Sequence, residues 1–119
     1  MTPQPGMPHF HNRGTYVSIA TNGYVETPIR VAAAGRYTME VVASGTPAQD
    51  LFPIVEARIN GRAVGQFQLT AGAWRPYSLE FKLTEGSNRL QLAFVNDFNQ
   101  EGEDRNLMLD QVTFYPLRD

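Results

Sequence analysis

The sequence predicts an all-β jelly-roll β-sandwich of about eight antiparallel strands, on three observations: period-two alternation nearly throughout, turn signals at near-regular spacing, and no stretch with helical period. Residues Met1–Gly14 hold three prolines, two glycines and no periodic pattern, and read as an extended Pro-rich leader, a linker or tail ahead of a module at 15–119. Thr15–Ala20 and Tyr24–Val31, bounded by Asn22-Gly23 and Gly35, read as the first two strands. Arg36–Ser44 alternates clearly, with Tyr37, Met39, Val41 and Ala43 on one face. Ile54–Asn60 and Arg62–Leu69 flank Asn60-Gly61, whose easy access to positive φ suits a type I′ two-residue hairpin. Trp74–Leu83 presents Tyr77, Leu79, Phe81 and Leu83 to one side, and Arg89–Asn96 does so with Leu90, Leu92 and Phe94. The last strand, Asn106–Tyr115, can bury Met108, Val112 and Phe114, with Leu107 and Leu109 pointing the other way; that parity suggests a strand between two layers.

Composition narrows the functional classes. At 119 residues the chain buries roughly two-thirds of its unfolded surface and needs no metal or disulfide merely to own a core. A net charge of -2, with a single lysine and scattered arginines, offers no basic stripe for a phosphate backbone, so nucleic acid is not an expected partner. Apolar runs never exceed four residues, which excludes a membrane-spanning helix and the apolar core of a signal peptide. The absence of cysteine removes thiol catalysis and zinc ribbons.

Two connections are long for hairpins, Gly45–Pro53 and Asp97–Arg105, and long loops on a rigid sandwich are where function concentrates. The second carries four carboxylates in the eight residues Asp97–Asp104, with no cation before Arg105. Confined between strands, these charges need either solvent screening or a bound cation. An all-oxygen ligand set selects a hard cation, calcium before magnesium. Asp97, Asn99 and Glu101 occupy alternate positions followed by Gly102, the opening of a D-x-N-x-x-G calcium loop. Arg105 and Met108 stand where an EF-hand needs further ligands, so an EF-hand is excluded and a calcium loop is not. The competing reading is a solvated acidic loop with Asx turns at Asp97 and Asp104 and an Arg105–Asp110 pair.

The run Leu90-Gln91-Leu92-Ala93-Phe94-Val95-Asn96-Asp97, then Asp104-Arg105-Asn106-Leu107, then Leu109-Asp110-Gln111-Val112, is similar to the C-terminal signature of calcium-dependent xylan-binding modules, carbohydrate-binding module families 60 and 36. The similarity extends upstream through Asn22-Gly23-Tyr24, Ala34-Gly35-Arg36-Tyr37, Ala43-Ser44-Gly45 and Asn60-Gly61-Arg62, covering roughly residues 15–115. The resemblance implies a jelly-roll whose loop-bound Ca2+ completes its shell with two adjacent sugar hydroxyls. Carried over by position, Asp97 and Asp104 are side-chain ligands, and main-chain carbonyls near Glu101 and Glu103 supply others. The Gly45–Pro53 connection, placed beside the acidic loop by the same resemblance, brings Gln49 and Asp50 towards the site, where the alternative for Asp50 is a surface turn residue. Arg105 and Asn106 read as structural, with Arg105 turned inward to a carboxylate such as Asp110.

Sugar recognition uses an apolar plate against the CH face of a pyranose, and Phe98 and Phe52 sit on the two loops, with Trp74 a lesser candidate. His9 and His11, two apart in the leader, form a possible transition-metal pair, but no further histidine exists to complete a site. The expected function is a non-catalytic carbohydrate-binding module for xylan or a related plant cell-wall glycan. Its expected partners are the polysaccharide and a parent catalytic domain, with the leader available for oligomer contacts, and its expected location is extracellular or periplasmic. Two alternatives come from other classes: a structural or adhesive β-sandwich in which Ca2+ only stiffens the loop, and a small glycan hydrolase using two loop carboxylates. No apolar pocket raises the pKa of a general acid for the hydrolase.

Overall fold

A computed structural model of the chain describes residues 1–7, 10–100 and 102–117. In chain order the strands are β1 (Thr2–Pro3), β2 (Phe10–Asn12), β3 (Val17–Ile19), β4 (Gly23–Val31), β5 (Gly35–Gly45), β6 (Ile54–Ile59), β7 (Arg62–Gln68), β8 (Arg75–Leu83), β9 (Gly86–Phe94), β10 (Phe98–Gln100), β11 (Glu103–Arg105) and β12 (Leu107–Pro116). Ten of them build two five-stranded antiparallel sheets, β1-β4-β9-β6-β7 and β2-β3-β12-β5-β8, while β10 and β11 form a separate hairpin. The eight expected strands are all present. The four additional ones are short and lie in stretches without alternation. Two pieces of the leader are paired: β1 adds to β4 and β2 to β3, one edge strand for each sheet. No helix among the described residues is long and apolar enough to cross a membrane.

The core between the sheets is assembled from the faces the alternation identifies. Met39, Val41 and Ala43 of β5, Phe81 and Leu83 of β8, and Leu90, Leu92 and Phe94 of β9 are all buried in one cluster. The exception is β12. Leu107 and Leu109 are in the core, whereas Met108 is only half-buried on the opposite face. A bulge between Leu109 and Val112 then shifts the register, so Val112 and Phe114 pack against the same core as Leu107. An extra residue in one strand reverses its parity. The strand is therefore a one-sided member of one sheet, not a strand between two layers.

Register also places the long loops. Gly45 at the end of β5 pairs with Leu107, and Phe94 at the end of β9 pairs with both Gly23 and Val55. The β5–β6 and β9–β12 connections therefore cross between the sheets at the same end of the sandwich, side by side, together with the β3–β4 connection. Gly45 is needed for that crowding: a Cβ there would lie 2.8 Å from the Asn106 carbonyl oxygen and 2.8 Å from Pro53 Cγ.

Candidate functional site

The acidic stretch is a hairpin, not an open loop. Phe98 pairs with Arg105, Asn99 with Asp104 and Gln100 with Glu103, with Glu101 outside the described residues. Directly opposed residues share a face, so Asn99 and Asp104 lie on one side of the ribbon and Gln100 and Glu103 on the other. Pairing thus separates the carboxylates that adjacency in sequence crowds together.

Arg105 holds this hairpin to the neighbouring loop. It is buried, 5% exposed, and its guanidinium donates to three main-chain carbonyls: Leu51 through Nε at 2.7 Å, Ala48 through Nη2 at 2.5 Å, and Asn96 through Nη1. The Phe98 ring covers it, with Cζ 5.8 Å from the ring centroid. The inward orientation matches expectation. The partner does not: Asp110 is exposed, and the acceptors are carbonyls that a planar five-donor fork can reach together.

What Arg105 grips is a tight turn. Ala48 and Leu51 exchange two main-chain hydrogen bonds of 3.0 and 2.9 Å, and the residues between them, Gln49 and Asp50, both adopt left-handed backbone at φ 50° and 63°. Left-handed non-glycine residues cost on the order of 1 kcal/mol each and persist where the surroundings hold them. Here the surroundings are the guanidinium on the carbonyls at both ends of the turn. The Gln49 N–H, at the tip, donates to Glu103 Oε1 at 3.0 Å. The structure thus brings Gln49 onto the acidic hairpin through its main chain, with Asp50 exposed beside it. Phe52 packs against the core, and Phe98 is half-buried with one face turned to Arg105. Trp74 is 43% exposed and meets Tyr16 edge to face.

Around Asp104 the polar groups interlock. Thr46 Oγ1 donates to the Asp104 carbonyl at 2.8 Å and accepts from the Asn106 N–H at 2.9 Å, and Asn106 Nδ2 donates to Asp104 Oδ2 at 3.0 Å. The other amide atom, Asn106 Oδ1, is enclosed with no hydrogen-bond partner among the described residues. Asp97 is fixed by its own N–H, which donates to Asn22 Oδ1 at 2.8 Å, and its Oδ1 is shielded from solvent.

These groups suit a hard cation in kind. Carboxylate and amide oxygens are what calcium takes, and an enclosed amide oxygen without a donor is what a cation site leaves when only protein atoms are counted. They do not form an all-acidic cage: among the described residues no three His, Cys, Asp or Glu side chains gather into a metal-holding group. Asn106 lies inside the Asp104-Leu107 motif, where it reads as structural, and its bonds to Thr46 and Asp104 are of that kind; Thr46 and Asn22 act through contacts across the sheets that no local pattern announces. His11 lies in a cavity whose lining also includes Thr46 and Asn106, and His9 is outside the described residues.

Comparison with known proteins bears on this site. No curated protein matches the chain. Among solved structures, the chain is similar to the CBM36-1 domain of a multidomain xylanase from the hindgut metagenome of Trinervitermes trinervoides, at TM-score 0.78 and 16% identity over 100% of this chain and 93% of that one. It is also similar to a carbohydrate-binding module CBM36 in complex with calcium and xylotriose, at TM-score 0.66 and 20% identity over 83% and 79%. A third similar structure is the Podospora anserina GH26-CBM35 β-(1,4)-mannanase, at TM-score 0.67 and 17% identity over 99% of this chain and 25% of that one. At such identities these likenesses speak for the sandwich fold. Over residues 38–116, well over half of its length, the chain matches the model of the family described as Ca-dependent, xylan-binding carbohydrate-binding modules, and it belongs to that family, CBM60, whose members bind carbohydrate without catalysing its cleavage.

Proposed function

We propose that the loop end of the sandwich binds Ca2+ and, through it, two neighbouring hydroxyls of a xylan chain. The observation that carries this reading is the polar network at the base of the hairpin, where Asn106 Nδ2 donates to Asp104 Oδ2 and the side-chain oxygens Asp97 Oδ1 and Asn106 Oδ1 are both shielded from solvent, beside the 48–51 turn that Arg105 holds. Asp97 and Asp104 would hold the ion with their carboxylates, Asn106 with its amide oxygen, and the segment around Glu101 and Glu103 with carbonyls. Calcium accepts about six to eight oxygens in flexible geometry, so a vicinal diol replaces two waters at small cost. The protein's part is to keep these oxygens in place before sugar arrives: Thr46 and Asn22 fix the main chain at Asp104 and Asp97, and Asn106 orients the Asp104 carboxylate. Asn99, paired with Asp104, would add an amide oxygen to the ion, and Gln49, Asp50 and Phe98 would meet sugar beyond the coordinated pair, whereas Phe52, packed against the core, would not.

The module would serve a xylan-degrading enzyme outside the cell, as a domain appended to it. The similar CBM36-1 domain belongs to a multidomain xylanase. Calorimetric titration with xylan in calcium and after exhaustive chelation tests the reading. Binding is expected only with calcium, and Asp97→Ala and Asp104→Ala are each expected to abolish it while circular dichroism remains that of the folded sandwich. Unchanged affinity under chelation contradicts it.

A further inference from the structure

A second cavity, of about 340 Å3, opens beside this site on the outer face of the β2-β3-β12-β5-β8 sheet. Its floor follows from register. His11 pairs with Ser18 and Ser18 with Met108, so the three share the face turned away from the buried Ile19 and Leu107. Arg13 and Tyr16 form its wall, and Thr46 and Asn106 complete it.

Three features define what fits. The lining contains Arg13 and His11 but no carboxylate among the described residues, in a chain whose net charge is -2 and whose nearest loop is acidic. Arg13 forms no ion pair among the described residues, so its guanidinium is available to a ligand. Tyr16 offers an apolar ring, supported edge to face by Trp74 with ring centroids 5.4 Å apart. A permanent cation beside an aromatic ring, with hydroxyl and amide groups on the remaining walls, matches a pyranose that carries a carboxylate. The volume lies at the small end of ligand pockets, enough for one substituent sugar and too little for a stretch of polymer.

The cavity is also joined to the loop site. Thr46 and Asn106 line it and at the same time bond to Asp104, so the two sites share a wall. We infer that this cavity is a subsite for a uronate substituent of the same glycan whose backbone hydroxyls engage the loop cation. The inference rests on the xylan reading for the identity of the polymer, and on the cavity alone for the carboxylate.

The test compares glucuronoxylan with the same polymer after reduction of its carboxyl groups, both in calcium, on the wild type, Arg13→Gln and the exposed control Arg30→Gln. The wild type is expected to bind glucuronoxylan about three- to tenfold more tightly than the reduced polymer, the range of one charge-assisted contact. Arg13→Gln is expected to lose that preference and keep the affinity for reduced polymer, while Arg30→Gln keeps both. A separate arm removes calcium with chelator and titrates free glucuronate against glucose, reading amide NMR shifts. Glucuronate alone is expected to move the signals of Arg13, Ser18 and Met108. Calcium-dependent binding that is blind to carboxyl reduction and to Arg13→Gln overturns the subsite and leaves the loop reading intact. Glucuronate shifts at these amides, with neither polymer bound in calcium, support the cavity and overturn the loop reading instead.

Discussion

Two turns in this molecule have nearly the same backbone and are held by different means. Asn60-Gly61, between β6 and β7, has φ values of 53° and 85°; Gln49-Asp50, in the β5–β6 connection, has 50° and 63°. The first is specified locally by its glycine, which takes the second left-handed position without strain, and the Asn60 side chain adds a bond to the neighbouring strand, accepting from the Arg89 N–H at 2.8 Å. The second contains no glycine and is held from more than fifty positions away, by Arg105 on the carbonyls of Ala48 and Leu51. The locally specified turn ends a strand pair. The remotely held one faces the acidic hairpin. Strain maintained by tertiary contact, in a chain that makes the same turn cheaply elsewhere, marks the end of the sandwich where geometry has a use.

The comparison breaks most severely at Arg105. Arg105→Ala removes three hydrogen bonds made by a buried guanidinium, leaving the Ala48 and Leu51 carbonyls with only each other's N–H and the Asn96 carbonyl without this donor, which is expected to cost about 3 kcal/mol. A loss of that size lowers Tm by roughly 10–20 °C in a domain of this length, measurable by calorimetry. Arg105→Lys is expected to recover little of it, because one ammonium cannot serve three divergent carbonyls as a planar fork does. Gly61→Ala is the next largest. A Cβ there has room, its nearest neighbour being Arg89 Nη2 at 3.5 Å, so the cost is the strained φ alone, about 1 kcal/mol, with xylan binding unchanged. The smallest effect has the opposite sign. Gln49→Gly relieves left-handed strain and gives part of it back as unfolded-state entropy, for a net gain of about 0.5 kcal/mol in thermal unfolding. If Gln49→Gly destabilises as Gly61→Ala does, the 48–51 turn is not strained and the contrast between the two turns fails.

Much of the sandwich is legible in the sequence because its signals are local. Asn60-Gly61 names its own turn, and the alternations of β5, β8 and β9 name their buried faces. The alternation of β12 does not name its buried face, since a bulge changes parity without changing composition. β1, β2, β10 and β11 are two or three residues long, too short to show a period. At the site, the acidic residues and the motif from Asp104 to Leu107 stand out, whereas the partners of Arg105 do not. Every residue carries a carbonyl, so an arginine that bonds main chain leaves no matching residue type to find, and Asp110 was the plausible carboxylate only for want of that information. Asn106 was hidden differently: its role depends on one amide oxygen being enclosed, which only packing determines.

The central claim, that a cation held at the Arg105-clamped loop end takes two free sugar hydroxyls, is tested most directly by the sugar. Xylo-oligosaccharides, and the same chains acetylated at O2 and O3, are titrated calorimetrically into the calcium-loaded protein. Coordination of a diol predicts binding of the free chains and none of the acetylated ones. Equal affinity for both would contradict it, even with calcium bound.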